Sequence, residues 1–165
     1  MACTRSQRLG YDFPVVGLGG FGFTKYVGGE SASPEERATL CSAAVVKAIE
    51  MGCTYIDVAP GYGGGEAERL LGPALAPHRE KVFLSCKTGE FRKSTAAAVA
   101  QMENSLAVLQ TSYFDLFQFH AVTTDADVDK ILGGAPVASS VQLLAPVLAL
   151  QPCGALAQTV VRWRP

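Results

Sequence analysis

Four side chains stand where chemistry could be done. Asp57, Lys87 and His120 each follow an apolar run, and Tyr62 lies in the glycine-rich loop beyond Asp57. In YIDVAPGYGGGE the Asp57 carboxylate ends a β-branched and aromatic stretch of strand type. A lone buried carboxylate is costly, so it needs a cationic partner, and Lys87 at the end of VFLSCK is the expected one. An ammonium beside a phenol favours the phenolate, which makes Tyr62 a usable general acid. With His120 nearby as a hydrogen-bond donor, the four could hold a carbonyl oxygen and protonate it as hydride arrives at carbon from a nicotinamide. The reaction class that fits is carbonyl reduction.

These residues must be brought together by elements far apart in sequence. FPVVGLGG at 13–20 is strand-like and runs into a glycine loop. SASPEER then carries a helix start, with Ser33 as N-cap, Pro34 at the first helical position and Glu36 completing a capping box. The helix predicted from Pro34 to Met51 turns Ala38, Cys41, Val45, Ala48 and Ile49 to one side, and Gly52 ends it. After the Asp57 strand, EAERLLGPAL predicts a short helix from Glu66, disturbed at Gly72-Pro73. A strand from Val82 to Cys86, a helix capped by Ser94 and running to Gln110, the strand FDLFQF and a helix from Asp125 to Leu132 follow. The third helix should bury Val99, Met102, Leu106 and Leu109. Strand and helix alternate with short connections, which predicts an α/β fold with parallel strands and right-handed crossovers. In such folds the carboxyl ends of the strands share one edge, so Asp57, Tyr62, Lys87 and His120 can converge there.

Composition narrows the partners. With 165 residues, 48% of them hydrophobic and 18% charged, one globular domain is expected. A net charge of -1 offers no broad basic surface for nucleic acid or anionic lipid, so small-molecule chemistry is the default. The five cysteines are scattered and never spaced C-x-x-C, and His78 and His120 stand far apart, so neither a disulfide framework nor a metal site is expected. The cysteines read as buried small hydrophobes and His78 as a solvated loop residue. The opening MACTRSQRLGYDF lacks an apolar secretory core, which leads to the expectation of a cytoplasmic protein.

The character of the chain changes near residue 131. From Ile131 to Val161 no residue is charged, and Pro136, Pro146 and Pro152 interrupt an Ala/Leu/Val-rich stretch too often for a bilayer about 30 Å thick. Residues 133–165 therefore read as an irregular or helical apolar tail of different origin, not a separate domain.

The same residues resemble a family, the aldo-keto reductases, from about Val15 to Leu132. The likeness rests on VVGLGGFG, DVAPGYGGGEAERLLGPAL, VFLSCKTG and YFDLFQFHAV, four dispersed segments in matching order and strand context. It implies Tyr62 as general acid and Lys87 as the neighbour that eases loss of its proton. It further implies Asp57 as partner of the lysine and contact to cofactor ribose, and His120 as substrate orienter. Gly20 and Phe21 would approach the nicotinamide end of NADPH. The resemblance implies NADPH-dependent reduction of an aldehyde, ketone or sugar carbonyl on a TIM-type (β/α) barrel. Such barrels run to about 250 residues. This chain supplies about four βα units, so residues 1–132 are expected to form a partial barrel. The later strands and loops, which in the family hold most of the pyrophosphate and 2′-phosphate, have no counterpart. The alternative is a truncated, catalytically inactive relative, and open barrel edges would favour self-association.

Two plainer readings compete. Asp57 and Lys87 could form a structural ion pair at a barrel rim, with Tyr62 and His120 ordinary residues of a loop and a strand end. GLGGFG at 17–22 formally matches G-x-G-x-x-G, but FTKYVGGESAS separates its last glycine from the helix start, contrary to a Rossmann turn.

Overall fold

The computed structural model describes residues 3–6, 11–24, 26–132 and 161–163. Two strands, β1 (Cys3–Ser6) and β2 (Tyr11–Pro14), form an antiparallel hairpin. The sheet that follows has the order β3 (Leu18–Gly19), β4 (Tyr55–Asp57), β5 (Phe83–Thr88), β6 (Phe114–Phe119) and β7 (Val161–Trp163). Strands β3 to β6 run parallel, and between them lie α1 (Pro34–Glu50), α2 (Glu66–Leu75) and α3 (Thr95–Val108). Helix α4 (Asp125–Leu132) follows β6. The expected βα alternation is thus present from Leu18 to Leu132. The tail stretch 133–160 lies outside the described residues, but Val161–Trp163 pairs antiparallel with β6. That pairing occupies the β6 edge with a strand of opposite direction.

The hairpin is a departure from expectation. FPVVGLGG is not one strand: Phe13 and Pro14 belong to β2, only Leu18 and Gly19 enter the sheet, and Val15 and Val16 between them are exposed. The hairpin places aromatic side chains over the inner side of β4 and β5. Tyr11 and Phe13 stand 4.8 Å, ring to ring, from Phe83, and Phe13 stands 5.7 Å from Tyr55. Such edge-on and tilted contacts add packing specificity to area burial.

The helices cover the opposite side of the sheet. Ile56, Leu84, Cys86 and Phe117 meet Val45 of α1, Leu71 and Leu75 of α2, and Met102 and Leu106 of α3 in one core. Local signals behave as read: Ser33 Oγ accepts from the Glu36 N–H at 3.1 Å, Glu36 Oε2 accepts from the Ser33 N–H at 2.8 Å, and Gly52 has φ +77. Ala38 differs by being exposed, because Arg37 is the residue of that turn directed at α2, where it pairs with Glu66 at 2.9 Å. Gly72-Pro73 does not break α2, which continues to Leu75. Gly72 instead lets α2 approach the end of α3, where a β-carbon would collide with the Val108 carbonyl. Pro73 is exposed on the other side.

At the amino ends of the strands, Arg79 and Asp115 form a buried pair at 2.8 Å. Asp115 also accepts from the Leu84 N–H at 3.0 Å, and Arg79 donates to the carbonyls of Val82 and Tyr113 at 3.1 and 2.9 Å. This pair stands at the end opposite the candidate site and ties β6 to the turn before β5. Cys41, Cys53 and Cys86 are buried, and burial pushes the Cys41 thiol up to about 12, which leaves it inert. His78 is partly buried. Among the described residues no helix is long and apolar enough to cross a membrane, and no group of three or more His, Cys, Asp or Glu could hold a metal.

Candidate active site

Strand alternation decides which side chains can meet. Asp57 at the end of β4 lies in register with Ser85 of β5, and Lys87 lies in register with Gln118 of β6. Residues two apart share a face, so Asp57, Ser85, Lys87 and Gln118 all point inward while Ile56, Leu84 and Cys86 point to the helices. The Lys87 ammonium forms an ion pair with Asp57 Oδ2 and donates to the Val58 carbonyl and to Tyr62 Oη, each at 3.2 Å. Burial alone would lower the Lys87 pKa, but the hydrogen bond and charge of Asp57, with help from Tyr62, raise it above its ordinary value. The lysine stays charged.

Tyr62 is delivered by an unusual loop. Its N–H donates to the Ala59 carbonyl at 3.1 Å, and the next three residues, Gly63, Gly64 and Gly65, have φ of +61, +64 and +90. Only glycine adopts such a run at little cost. At Gly63 a β-carbon would also press on Thr24 at 2.8 Å, so the loop lies directly against the loop after β3. Arg37 holds the two together, pairing with Glu66 while donating to the Ala32 and Gly29 carbonyls at 3.2 and 3.3 Å.

His120 is the first residue past β6, and its N–H donates to the Thr88 carbonyl at 2.8 Å. Its ring stands edge-on to Tyr62, with centroids 5.8 Å apart and planes at 80°. Burial first, then the Lys87 charge, lower the His120 pKa, so the imidazole is neutral near pH 7 and carries one N–H donor. Phe21 closes the other side of Tyr62, edge-on at 5.4 Å, and is 55% exposed. Gly20 is buried, because a β-carbon there would meet the Asp57 carbonyl oxygen at 2.7 Å. Its smallness serves the approach of this loop to β4.

The structure thus gathers Asp57, Tyr62, Lys87, His120 and Phe21 at the carboxyl ends of the strands. The glycine pattern at 17–22 runs from β3 into a 3-10 turn at Gly20–Gly22, not into a helix. Sequence reasoning missed two inward polar residues. Ser85 Oγ lies 3.0 Å from both Asp57 Oδ1 and Gln118 Oε1, linking β4, β5 and β6 behind the ion pair. Their signal was available: each is two positions before Lys87 or His120 on the same face.

The aldo/keto reductase family model matches residues 15–147. The chain belongs to this family. This aldo/keto reductase is 40% identical over 107 residues to methylglyoxal reductase YeaE of Escherichia coli (strain K12), covering 65% of this chain and 35% of that protein. It is 34% identical over 130 residues to aldo-keto reductase YhdN of Bacillus subtilis (strain 168), covering 73% and 38%. Among solved structures, a thermostable aldo-keto reductase in complex with the inhibitor epalrestat superposes with TM-score 0.59 at 31% identity, covering 81% of this chain and 49% of that one. An aldo-keto reductase from Klebsiella pneumoniae in complex with NADPH gives 0.56 at 30% identity, covering 73% and 41%. The fold is therefore the first part of a TIM-type barrel. The chain spans little more than a third of the length of the two sequence relatives.

Proposed function

We propose that this aldo/keto reductase reduces the carbonyl of an aldehyde, ketone or sugar at the expense of NADPH. The observation that carries the reading is the shared Lys87 ammonium, bonded to Asp57 on one side and 3.2 Å from Tyr62 Oη on the other. Lysine has no acceptor, so the Tyr62 proton must point away from it. His120 and Phe21 flank the Tyr62 ring, each edge-on, and a carbonyl oxygen held beside them would take that proton. When bound, NADPH supplies the hydride that arrives at the carbonyl carbon. Tyr62 gives its proton to the carbonyl oxygen, and Lys87 stabilises the phenolate left behind until water reprotonates it. Neutral His120 donates its N–H to the same oxygen and orients it.

The nicotinamide end fits the residues present: Phe21 is an exposed aromatic wall next to Tyr62, and Asp57 retains inward polar atoms beside Ser85. The phosphates are a different matter. Two arginines beside the site loops, Arg37 and Arg92, are each engaged by a carboxylate, Glu66 and Asp127. This, with the fraction of the relatives' length present, favours the second reading, a catalytically inactive relative lacking most of the cofactor site. NADPH titration followed by fluorescence, with turnover of a simple aldehyde followed by NADPH absorbance, separates the two. Saturable binding and turnover support the reductase. No binding at millimolar NADPH overturns it and leaves the inactive relative.

A further inference from the structure

We propose that Arg92 is a positioning residue that fixes His120 against Tyr62 by holding the backbone just beyond β6. The proposal rests on the reading of Tyr62 and His120 as the proton donor and the oxygen-orienting group. Arg92 closes the 3-10 turn after β5, and its guanidinium touches neither Lys87 nor Tyr62 among its hydrogen bonds. It reaches the backbone instead. Nη1 donates to the His120 carbonyl at 3.3 Å, and Nη2 donates to the Ala121 carbonyl.

The reason such a clamp is needed lies in Ala121. This residue has φ +56, a left-handed conformation that a side chain with a β-carbon disfavours. Such a turn persists only where its surroundings over-determine it. Here the chain is held from both sides: the His120 N–H is bonded to Thr88, and the two successive carbonyls are bonded to Arg92. Released, the turn would relax and carry the imidazole with it.

The clamp is itself anchored. Arg92 Nε and Nη2 meet Asp127 Oδ1 and Oδ2 at 2.8 and 3.1 Å, a two-pronged pair. Asp127, in the first turn of α4, also accepts from the Thr123 N–H at 3.1 Å, and its own N–H donates to Thr124 Oγ1 at 3.1 Å. Lys130 Nζ donates to the Arg92 carbonyl at 2.9 Å. One planar fork with five donors serves a carboxylate and two carbonyls at once, which the single ammonium of a lysine cannot reproduce.

The test reads His120 directly, independent of turnover. The chain has two histidines, so His78→Gln leaves His120 as the single imidazole to follow by proton NMR. In that background we expect His120 to titrate below its ordinary 6.5 and to show cross-relaxation with the Tyr62 ring. In Arg92→Ala and Arg92→Lys the Tyr62 cross-relaxation should be lost. The titration should move up toward 6.5 in both, in Arg92→Ala partly because the Arg92 charge itself lowers it, so the rise in Arg92→Lys, where a positive charge is kept, and the lost contact are the deciding readouts. Added guanidinium should restore them in Arg92→Ala. Where turnover is present, kcat should fall about ten- to a hundredfold with NADPH affinity unchanged. A folded Arg92→Ala protein with unaltered His120 titration and Tyr62 contact overturns the proposal, even if its melting temperature drops. If only Arg92→Lys folds and it behaves as wild type, charge rather than the fork is responsible, and the proposal fails. Absence of turnover in the wild type would sink the reductase reading while the NMR outcome still decides the role of Arg92.

Discussion

Lys87 donates to Tyr62 Oη at 3.2 Å with the last of its three protons, the other two being taken by Asp57 and the Val58 carbonyl. The tyrosine oxygen is therefore an acceptor toward the lysine and can be a donor only away from it. In the proposed reduction, this polarity more than proximity would suit Tyr62 to protonate a substrate.

Tyr62→Phe removes the proton while keeping the ring between Phe21 and His120. If the wild type turns over, kcat should fall by about a hundredfold or more with NADPH affinity nearly unchanged, since the lost group acts in the transition state. Equal losses in both, measured by single-turnover kinetics and fluorescence titration, would assign Tyr62 to binding instead.

Asp57→Asn deprives Lys87 of its counter-charge and should destabilise the fold by about 1–3 kcal/mol in urea denaturation. The difference should depend on pH with a definite sign. Lys87 has a folded pKa above its ordinary 10.5, so its stabilising contribution is whole below that value and is lost as pH rises through the folded pKa. The gap between wild type and Asp57→Asn should hence narrow above about pH 10.5. A gap that stays constant to the alkaline limit would show that the pair does not stabilise the fold.

Gly72→Ala and Pro73→Ala separate two meanings of one dipeptide. The first forces a β-carbon onto the Val108 carbonyl and should cost about 1–3 kcal/mol. The second changes an exposed residue and should stay within about 1 kcal/mol of wild type. Reversal of that order in urea melts would mean that the α2–α3 approach is not tight.

Strand β3 ends the described sheet, and Val15 and Val16 just before it are 65% and 58% exposed. An open edge flanked by apolar side chains favours association. Sedimentation velocity should show concentration-dependent association that Val15→Lys with Val16→Lys reduces. A monodisperse monomer at every concentration would refute this.

Much of the architecture was legible because its signals are local. Ser33, Pro34 and Glu36 announce the start of α1 whatever packs against it, and FDLFQF reads as a buried strand leading to His120. The convergence of Asp57, Tyr62, Lys87 and His120 followed from strand ends sharing one edge. What escaped depends on distant partners. The hairpin of β1 and β2 exists because Tyr11 and Phe13 find Phe83 and Tyr55, many residues away. Gly72 looked like a breaker because its neighbour Val108 is not adjacent in sequence. Arg92 carried no motif at all, and its importance arises from two carbonyls that only the fold presents to it.

The strand β7 gives the molecule a spectroscopic property. The chain has a single tryptophan, Trp163, and its backbone stands opposite Phe114 in the antiparallel pairing on β6. Its emission thus reports on the strand paired to β6, which the βα units of residues 18–132 do not contain. Tryptophan emission excited at the red edge, followed beside the backbone circular dichroism of the βα units, turns one denaturation into two curves. Coincident midpoints would mean that β7 and the βα units melt as one cooperative body, and an earlier tryptophan transition would mark β7 as a strand that peels from the sheet before the site opens.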